Sequence, residues 1–439
     1  MAIESPLKQA PSQKPVRQRQ KMANGHPCII LVHILCPPGP TTFELANVKI
    51  HFRLPPRCSS TQPLPIQTLT AENITVMTHN PLQAITPEKK AATQTAFAAA
   101  EKQSIFYSAP WFENYFETIQ DSDTSSLFLS ASTDHGSAAL PMKYFVSAEW
   151  PYSRSIYGAQ NYYSCLFGPA IAGEHTDELY DKLLQPLCAQ RLDVFDVHPL
   201  DPYHPSFEAL QKALRRQGWI IDKYLCFGNW QLDVNGRSFA DYFQALPSTL
   251  KNTIKRKTQA LAKKGNARLE IITGGADTER LISDYTRIYN SSWKKPEPYT
   301  EFMPGLIRTC AKHGWLRAGI AYVDDTPAAA QIWIVHNNQA LIYKLAYDEQ
   351  FGKLSIGSIL TAKLMEHVID VDKVSLVDYL TGDEPYKRDW MSRRNDRWGI
   401  IAYNPRTLSG LLAAARHFGG KWLKRFKKPA DNKTQDDQE

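Results

Sequence analysis

The chemically useful residue types concentrate in one stretch, Ala340 to Arg394. It holds two carboxylates, Asp378 and Asp383, and two phenols, Tyr347 and Tyr386. Carboxylates accept protons and phenols return them, the two parts of general acid–base catalysis. Between Tyr347 and Asp378 lies a loop with Lys353, Ser355, Gly357 and Ser358. After Ser358 the apolar residues Ile359, Leu360, Leu364, Val368 and Ile369 fall at helical spacing, so the loop delivers the unpaired N–H groups of a helix start. Such a start favours anions, phosphate included.

Strands and turns must hold these groups in place. Leu341, Tyr343, Leu345 and Tyr347 alternate with Ile342, Lys344, Ala346 and Asp348, the period-two pattern of a strand. Val374 to Tyr379 reads as a second strand that ends in Thr381-Gly382-Asp383, with a helical run from Tyr386 to Asn395 and a strand from Trp398 to Tyr403. The preceding residues predict a strand over Leu269 to Ile272, helices over Thr278 to Asn290 and Tyr299 to His313, and strands over Trp315 to Val323 and Ala328 to Val335.

An earlier segment repeats this order. It reads as a helix over Trp111 to Ile119, a hairpin of Leu127 to Ala131 with Lys143 to Ala148, and a strand over Asn161 to Phe167. A helix over Asp177 to Gln190, a strand over Leu192 to Val197, a helix over Ser206 to Gln217 and a strand from Trp219 to Leu225 follow. Hairpin, strand, helix, strand, helix, strand in both halves predicts two similar α/β domains, 101–236 and 237–405. Between them, Ser238 to Asp241 resembles a capping box, and Thr249 to Lys264 is an amphipathic helix ending at Gly265. Seven Lys or Arg residues lie between Lys251 and Arg268 with no acid among them: a solvated face, or a wall beside an acidic ligand.

Residues 1–100 are rich in proline, open with basic residues and lack periodicity, which predicts a disordered extension. Translation from Met77 is another reading of it. Residues 406–439 form a basic segment in which Phe418, Trp422, Leu423 and Phe426 stand among Lys and Arg, suited to an anionic membrane surface or to packing on the second domain. Seven scattered cysteines without a Cys-x-x-Cys pair fit a reducing, cytoplasmic setting. Cys28, His33, Cys36 and His26 match no common zinc spacing, so no metal is expected. The apolar run Cys28 to Cys36 is too short to cross a membrane. A net charge of +7 and 43% hydrophobic residues describe a globular chain. No Gly-x-Ser-x-Gly elbow, Walker A loop or Rossmann fingerprint is present, which excludes those hydrolase and nucleotide-binding classes.

The second half resembles the GNAT superfamily, and more narrowly the CelD/BcsL-type acetyltransferase-like family linked to cellulose biosynthesis, relatives of the FemAB transferases. The resemblance rests on Asp241-Tyr242-Phe243, Leu246-Pro247-Ser248, Ser292-Trp293-Lys294 with Glu297-Pro298, and Gly314 to Arg317. It continues through Ala329 to Trp333, Tyr343 to Tyr347, Asp378 to Asp383, Tyr386-Lys387 and Trp390. It implies tandem GNAT-like folds on a mixed sheet, an acyl-CoA (acetyl-CoA) donor and an amine or hydroxyl acceptor such as a small molecule or glycan precursor. On that reading, N–H groups at Ser355 to Ser358 with Lys353 hold the donor's pyrophosphate, and a splayed strand at Leu345 to Tyr347 offers a donor to the oxyanion. Tyr347 or Tyr386 then protonates the thiolate, and Asp378 or Asp383 accepts the nucleophile's proton. Trp293, Gln331, Trp333, Lys344, Lys387 and Trp390 line the acceptor side. Blander roles compete: a helix cap for either aspartate, surface positions for the lysines, core packing for the tryptophans and turn geometry for Gly357 and Gly382.

One departure stands out. CoA-binding members commonly show Gln/Arg-x-x-Gly-x-Gly/Ala after the fourth strand, whereas Gln350 here precedes Phe351-Gly352-Lys353-Leu354-Ser355-Ile356-Gly357. Aminoacyl-tRNA therefore stands as an alternative donor, and a non-catalytic GNAT-like binding protein as an alternative of another class.

Overall fold

A computed structural model describes residues 87–119, 121, 123–147 and 153–426, with three short strands before them: β1 (Glu44–Leu45), β2 (Val48–Lys49) and β3 (Ile74–Met77). β1 pairs with β2 inside a unit spanning Met1–Pro65, and all later elements belong to a second unit, Ile66–Glu439. Cys28, His33, Cys36 and His26 lie outside the described residues.

The first half of the larger unit runs α1 (Pro87–Glu101), α2 (Ala109–Thr118), β4 (Ser125–Thr133), β5 (Gly136–Ser147), β6 (Ser153–Gly158), β7 (Ala170–Gly173), α3 (Asp177–Ala189), β8 (Val194–Leu200), α4 (Pro205–Arg216) and β9 (Ile220–Asp233). The second half runs α5 (Phe239–Ala245), α6 (Ser248–Lys264), β10 (Ala267–Ile272), α7 (Thr278–Asn290), α8 (Phe302–Lys312), β11 (Leu316–Val323), β12 (Thr326–His336), β13 (Gln339–Tyr347), α9 (Ile356–Glu366), β14 (Leu376–Asp378), α10 (Pro385–Trp390), β15 (Arg393–Tyr403) and α11 (Leu408–Phe426). Local chemistry sets several boundaries. The Ser238 hydroxyl accepts from the Asp241 N–H at 3.1 Å and starts α5, while Gly265 takes the left-handed conformation that ends α6.

All strands but β1 and β2 form one mixed sheet, ordered β10-β11-β12-β13-β14-β9-β15-β8-β6-β5-β4-β3 with β7 on β5. The halves interlock: β9 sits between β14 and β15, and β15 sits between β9 and β8. Each half thus lends its last strand to the other, and the expected division at residue 236 cuts across a continuous ladder. Both halves contain one parallel pair, β6 with β8 and β13 with β14, each joined through a helix. The two ladders end alike, at Tyr157↔Asp196 and Leu341↔Asp378.

One apolar core runs from α1–α4 of the first half to α7 and α8 of the second, and another lies under α5, α6 and α9. At the junction, the Phe302 ring stacks on Tyr163 at 4.0 Å and meets Trp111 edge-on at 5.5 Å. The aromatic burial there ties the halves together.

Three expectations are corrected. Residues 161–167 form no strand, because the Asn161 side chain accepts from the Tyr163 N–H at 3.0 Å and closes a local turn; β6 supplies that position in the sheet. The helix expected up to Asn395 stops at Trp390, and β15 already begins at Arg393, paired with β9. The expected extension to residue 100 runs into α1, whose Ala96, Phe97 and Ala100 are buried in the core.

Candidate active site

The site begins where β13 and β14 part. Their parallel ladder ends at Leu341↔Asp378, so the edge of β13 from Ile342 to Tyr347 has no ladder partner on that side. A bulge at Tyr343 and Lys344, opposite Ile332 and Trp333, adds to the splay. After Tyr347 a short 3-10 turn, Glu349–Leu354, leads to Ser355, which adopts left-handed dihedrals (φ 53°, ψ 34°). That conformation reverses the chain into α9.

No side chain caps α9, and its first turn carries no acid. The N–H groups near Ile356, Gly357 and Ser358 therefore face a site suited to an anion. Gln331, buried on β12, fixes this helix start. Its Nε2 donates to the Gly357 carbonyl at 2.9 Å and to the Thr361 hydroxyl at 2.8 Å, while its Oε1 accepts from the Trp333 indole at 2.9 Å. Lys257 of α6 donates to the Lys353 carbonyl at 2.6 Å, so the basic helix reaches the loop. Lys255, Arg256, Lys263 and Lys264 on the same helix are exposed, as is Lys353.

Tyr347 packs over the loop. A Cβ on Gly357 or Gly352 would stand 3.6 or 3.5 Å from its ring, and the exposed Trp293 ring lies 4.6 Å from it. Leu345, half-buried, belongs to the core under α9.

Both aspartates have other partners. Asp378 is buried and fully engaged: Asn229 donates to Oδ1 at 2.5 Å, the Leu380 N–H to Oδ1 at 2.6 Å and Gln231 to Oδ2 at 2.6 Å. It clamps β9 to β14 and caps no helix. Asp383 accepts from the Trp230 indole at 2.7 Å and pairs with Arg394 at 2.8 Å. The Arg394 hydrogen bonds hold its carboxyl below the usual carboxylate range, which weakens it as a base.

Neither Lys344 nor Lys387 is a surface residue. Lys344 pairs with Glu297 at 3.2 Å and lies over the rings of Tyr162 and Tyr163, 4.2 and 4.9 Å from their centres. Glu297 also accepts from the Tyr163 hydroxyl at 2.6 Å, so this cluster draws on both halves. Lys387 pairs with Glu384 at 2.8 Å and donates to the Thr381 carbonyl, holding the turn after β14. Trp333 and Trp390 are core residues, and the Trp390 carbonyl accepts from Tyr242 at 2.8 Å. Tyr386, exposed, meets Tyr379 edge-on at 5.8 Å.

The cluster contains groups that sequence reasoning did not assign a role. Lys294 follows Trp293 and lies 5.8 Å from the Tyr289 ring. Burial, with repulsion from Lys344, pulls its ammonium down to about 8. Lys294 and Glu297 belong to Ser292-Trp293-Lys294 and Glu297-Pro298, a signal for their place if not their role, while nothing in the local pattern marks Tyr162, Tyr163 or Tyr289. Among the described residues, no group of three His, Cys, Asp or Glu side chains could hold a metal ion.

Residues 248–388 match the family described as Acetyltransferase (GNAT) domain. No curated protein matches the chain. Among solved structures, that of FemX is 9% identical with a TM-score of 0.50, covering 73% of this chain and 96% of its own. The C-terminal domain of a lysylphosphatidylglycerol synthetase assigned in Agrobacterium fabrum is 10% identical with a TM-score of 0.44, covering 75% and 96%. A tandem GNAT protein from clavulanic acid biosynthesis is 12% identical with a TM-score of 0.41, covering 75% and 97%. The FemX likeness is one of fold.

Proposed function

We propose that the acetyltransferase-type (GNAT) domain over residues 248–388 moves an acyl group from acyl-CoA, acetyl-CoA above all, to an amine or hydroxyl acceptor. The observation that carries this reading is the uncapped, acid-free start of α9 beside the open edge of β13. That arrangement fits a pyrophosphate: N–H groups point out of the helix, and Lys353 and Lys257 stand at the loop. The corresponding helix of the first half fits an anion poorly, since Thr176 caps α3 and Asp177 and Glu178 occupy its first turn. Donor binding therefore belongs to the second half.

When bound, CoA supplies an activated thioester. The protein's part is to hold the donor with the Ser355 to Ser358 backbone and to turn the free edge of β13 at Leu345 to Tyr347 toward the acyl oxygen. Tyr347, which packs over the loop, would return a proton to the sulfur; Tyr386 is the more exposed alternative. The acceptor enters beside Trp293 and the Lys344 cluster at the junction of the halves. Asp378 and Asp383 are engaged with other partners, so we assign the nucleophile's proton to Lys294, whose amine is partly neutral near pH 8.

The resemblance to the CelD/BcsL type supports an acceptor from polysaccharide or cell-envelope metabolism, and the free thiols Cys165, Cys188, Cys226 and Cys310 suit a cytoplasmic setting. One observation favours aminoacyl-tRNA instead: the exposed basic face of α6 beside the donor loop. Thermal-shift and calorimetric titrations with acetyl-CoA, longer acyl-CoAs and deacylated tRNA separate the two. Stabilisation by CoA esters supports the proposal, because a ligand that binds only the folded state raises its stability. Stabilisation by tRNA alone transfers the site to the rival.

A further inference from the structure

The helix α11 presents its faces in the reverse of the usual order. Its inward side is small and polar: Gly410 approaches so closely that a Cβ would stand 2.2 Å from the Asn404 carbonyl oxygen, Ala414 is buried, and His417 pairs with Asp222 at 2.6 Å. Lys421 joins the same carboxylate. Its outward side is apolar. Leu408, Leu411, Leu412, Trp422 and Leu423 recur at helical spacing, and Leu408 is 75% exposed, Leu423 60% and Trp422 59%. A surface helix ordinarily buries such a stripe against its own sheet. Here it is turned away from it.

The charge carried by the helix's own sequence is of one sign. Between Leu408 and Phe426 the chain carries Arg416, Lys421, Lys424 and Arg425 and no carboxylate. An outward apolar stripe flanked by cations is the pattern of a helix that lies in a lipid interface. At 19 residues the helix is long enough for this, about 28 Å. Among the described residues, no helix is long and apolar enough to cross a membrane, so this contact is with a surface.

We propose that α11 docks the protein on an anionic lipid surface, its leucines entering the headgroup boundary and its basic residues other than Lys421, which Asp222 holds inward, meeting the lipid phosphates. The opposite sign of a phosphatidylglycerol surface is what the all-basic flank complements. Neither a neutral bilayer nor a second copy of this equally basic helix offers that charge. The inference is independent of the donor site, because it concerns a different element.

Sedimentation of the full chain with vesicles tests it. Binding to phosphatidylcholine vesicles containing phosphatidylglycerol, weaker to pure phosphatidylcholine and falling as salt rises, is the expected result. Leu411→Glu with Leu412→Glu changes exposed positions only, so circular dichroism and melting stay as in the wild type while vesicle binding drops at least about tenfold. Leu408→Ser with Leu423→Ser gives the same loss without adding charge. Absence of binding by the wild-type chain, or full binding by both double variants, overturns the proposal. Soluble dimers that either double variant dissolves overturn it too, and make the stripe a contact between copies.

Discussion

Gln331 of β12 and Gly357 of α9 are joined by a single hydrogen bond of 2.9 Å from the buried amide to the half-buried first turn of the helix. A buried side chain thereby sets the position of the backbone that we assign to the donor. Gln331→Leu leaves the Trp333 indole without its acceptor and frees the first turn of α9. The expected cost is about 1–3 kcal/mol of stability, with weaker acyl-CoA binding. Denaturant melts and calorimetric titration read the two effects, and an unchanged donor affinity would detach Gln331 from the site.

Asp378→Asn replaces an acceptor oxygen by an N–H₂ group facing either the Asn229 or the Gln231 amide, donor against donor. The melting temperature is expected to fall by the equivalent of about 1–3 kcal/mol. If instead stability held and turnover alone collapsed, Asp378 would be restored as the proton acceptor.

Lys294 makes a pH prediction. Only the neutral amine accepts a proton, so the acylation rate rises as pH passes upward through about 8 and levels off above it. Lys294→Met removes that limb. Lys294→Arg keeps the cation and cannot release its proton near neutral pH, so it also loses the limb. A fully active arginine variant would show that the residue binds a charge on the acceptor.

Gly357→Val tests the donor loop. The new side chain starts 3.6 Å from the Tyr347 ring, an ordinary contact, so the fold tolerates the Cβ, but it crowds backbone that a pyrophosphate must approach. Acyl-CoA affinity is expected to fall at least about tenfold, roughly 1.4 kcal/mol. Lys353→Ala has a smaller effect that shrinks with salt. Equal affinity in Gly357→Val and wild type places the donor elsewhere.

Legibility followed the range of the interactions. The period of α7, the cap at Ser238 and the left-handed stop at Gly265 are local, and sequence alone marks them. So are the hairpin β11–β12 and the shared order of the elements, whereas in the hairpin β4–β5 residues 127–131 pair with 138–142 and not with the expected 143–148. What stayed hidden is long-range. Asp378 looks like a free carboxylate until Asn229 and Gln231, far away in the chain, are laid beside it. Lys344 looks like a surface cation until Glu297 and Tyr162 close around it. The turn at Asn161 is hidden in the same way, since only its side-chain hydrogen bond to the Tyr163 N–H shows that the backbone bends there.

The exchange of β9 and β15 between the halves bears on how the protein is made. As a nascent chain leaves the ribosome, β9 emerges early, yet its partner on one side, β15, is translated only after residues 234–392. The first half cannot complete its share of the sheet until β15 has emerged, and the long wait exposes the open edges of β8 and β9. Dividing the gene between β9 and α5 therefore yields two polypeptides that need each other's terminal strand, and co-expression rather than separate production is the route to a folded pair.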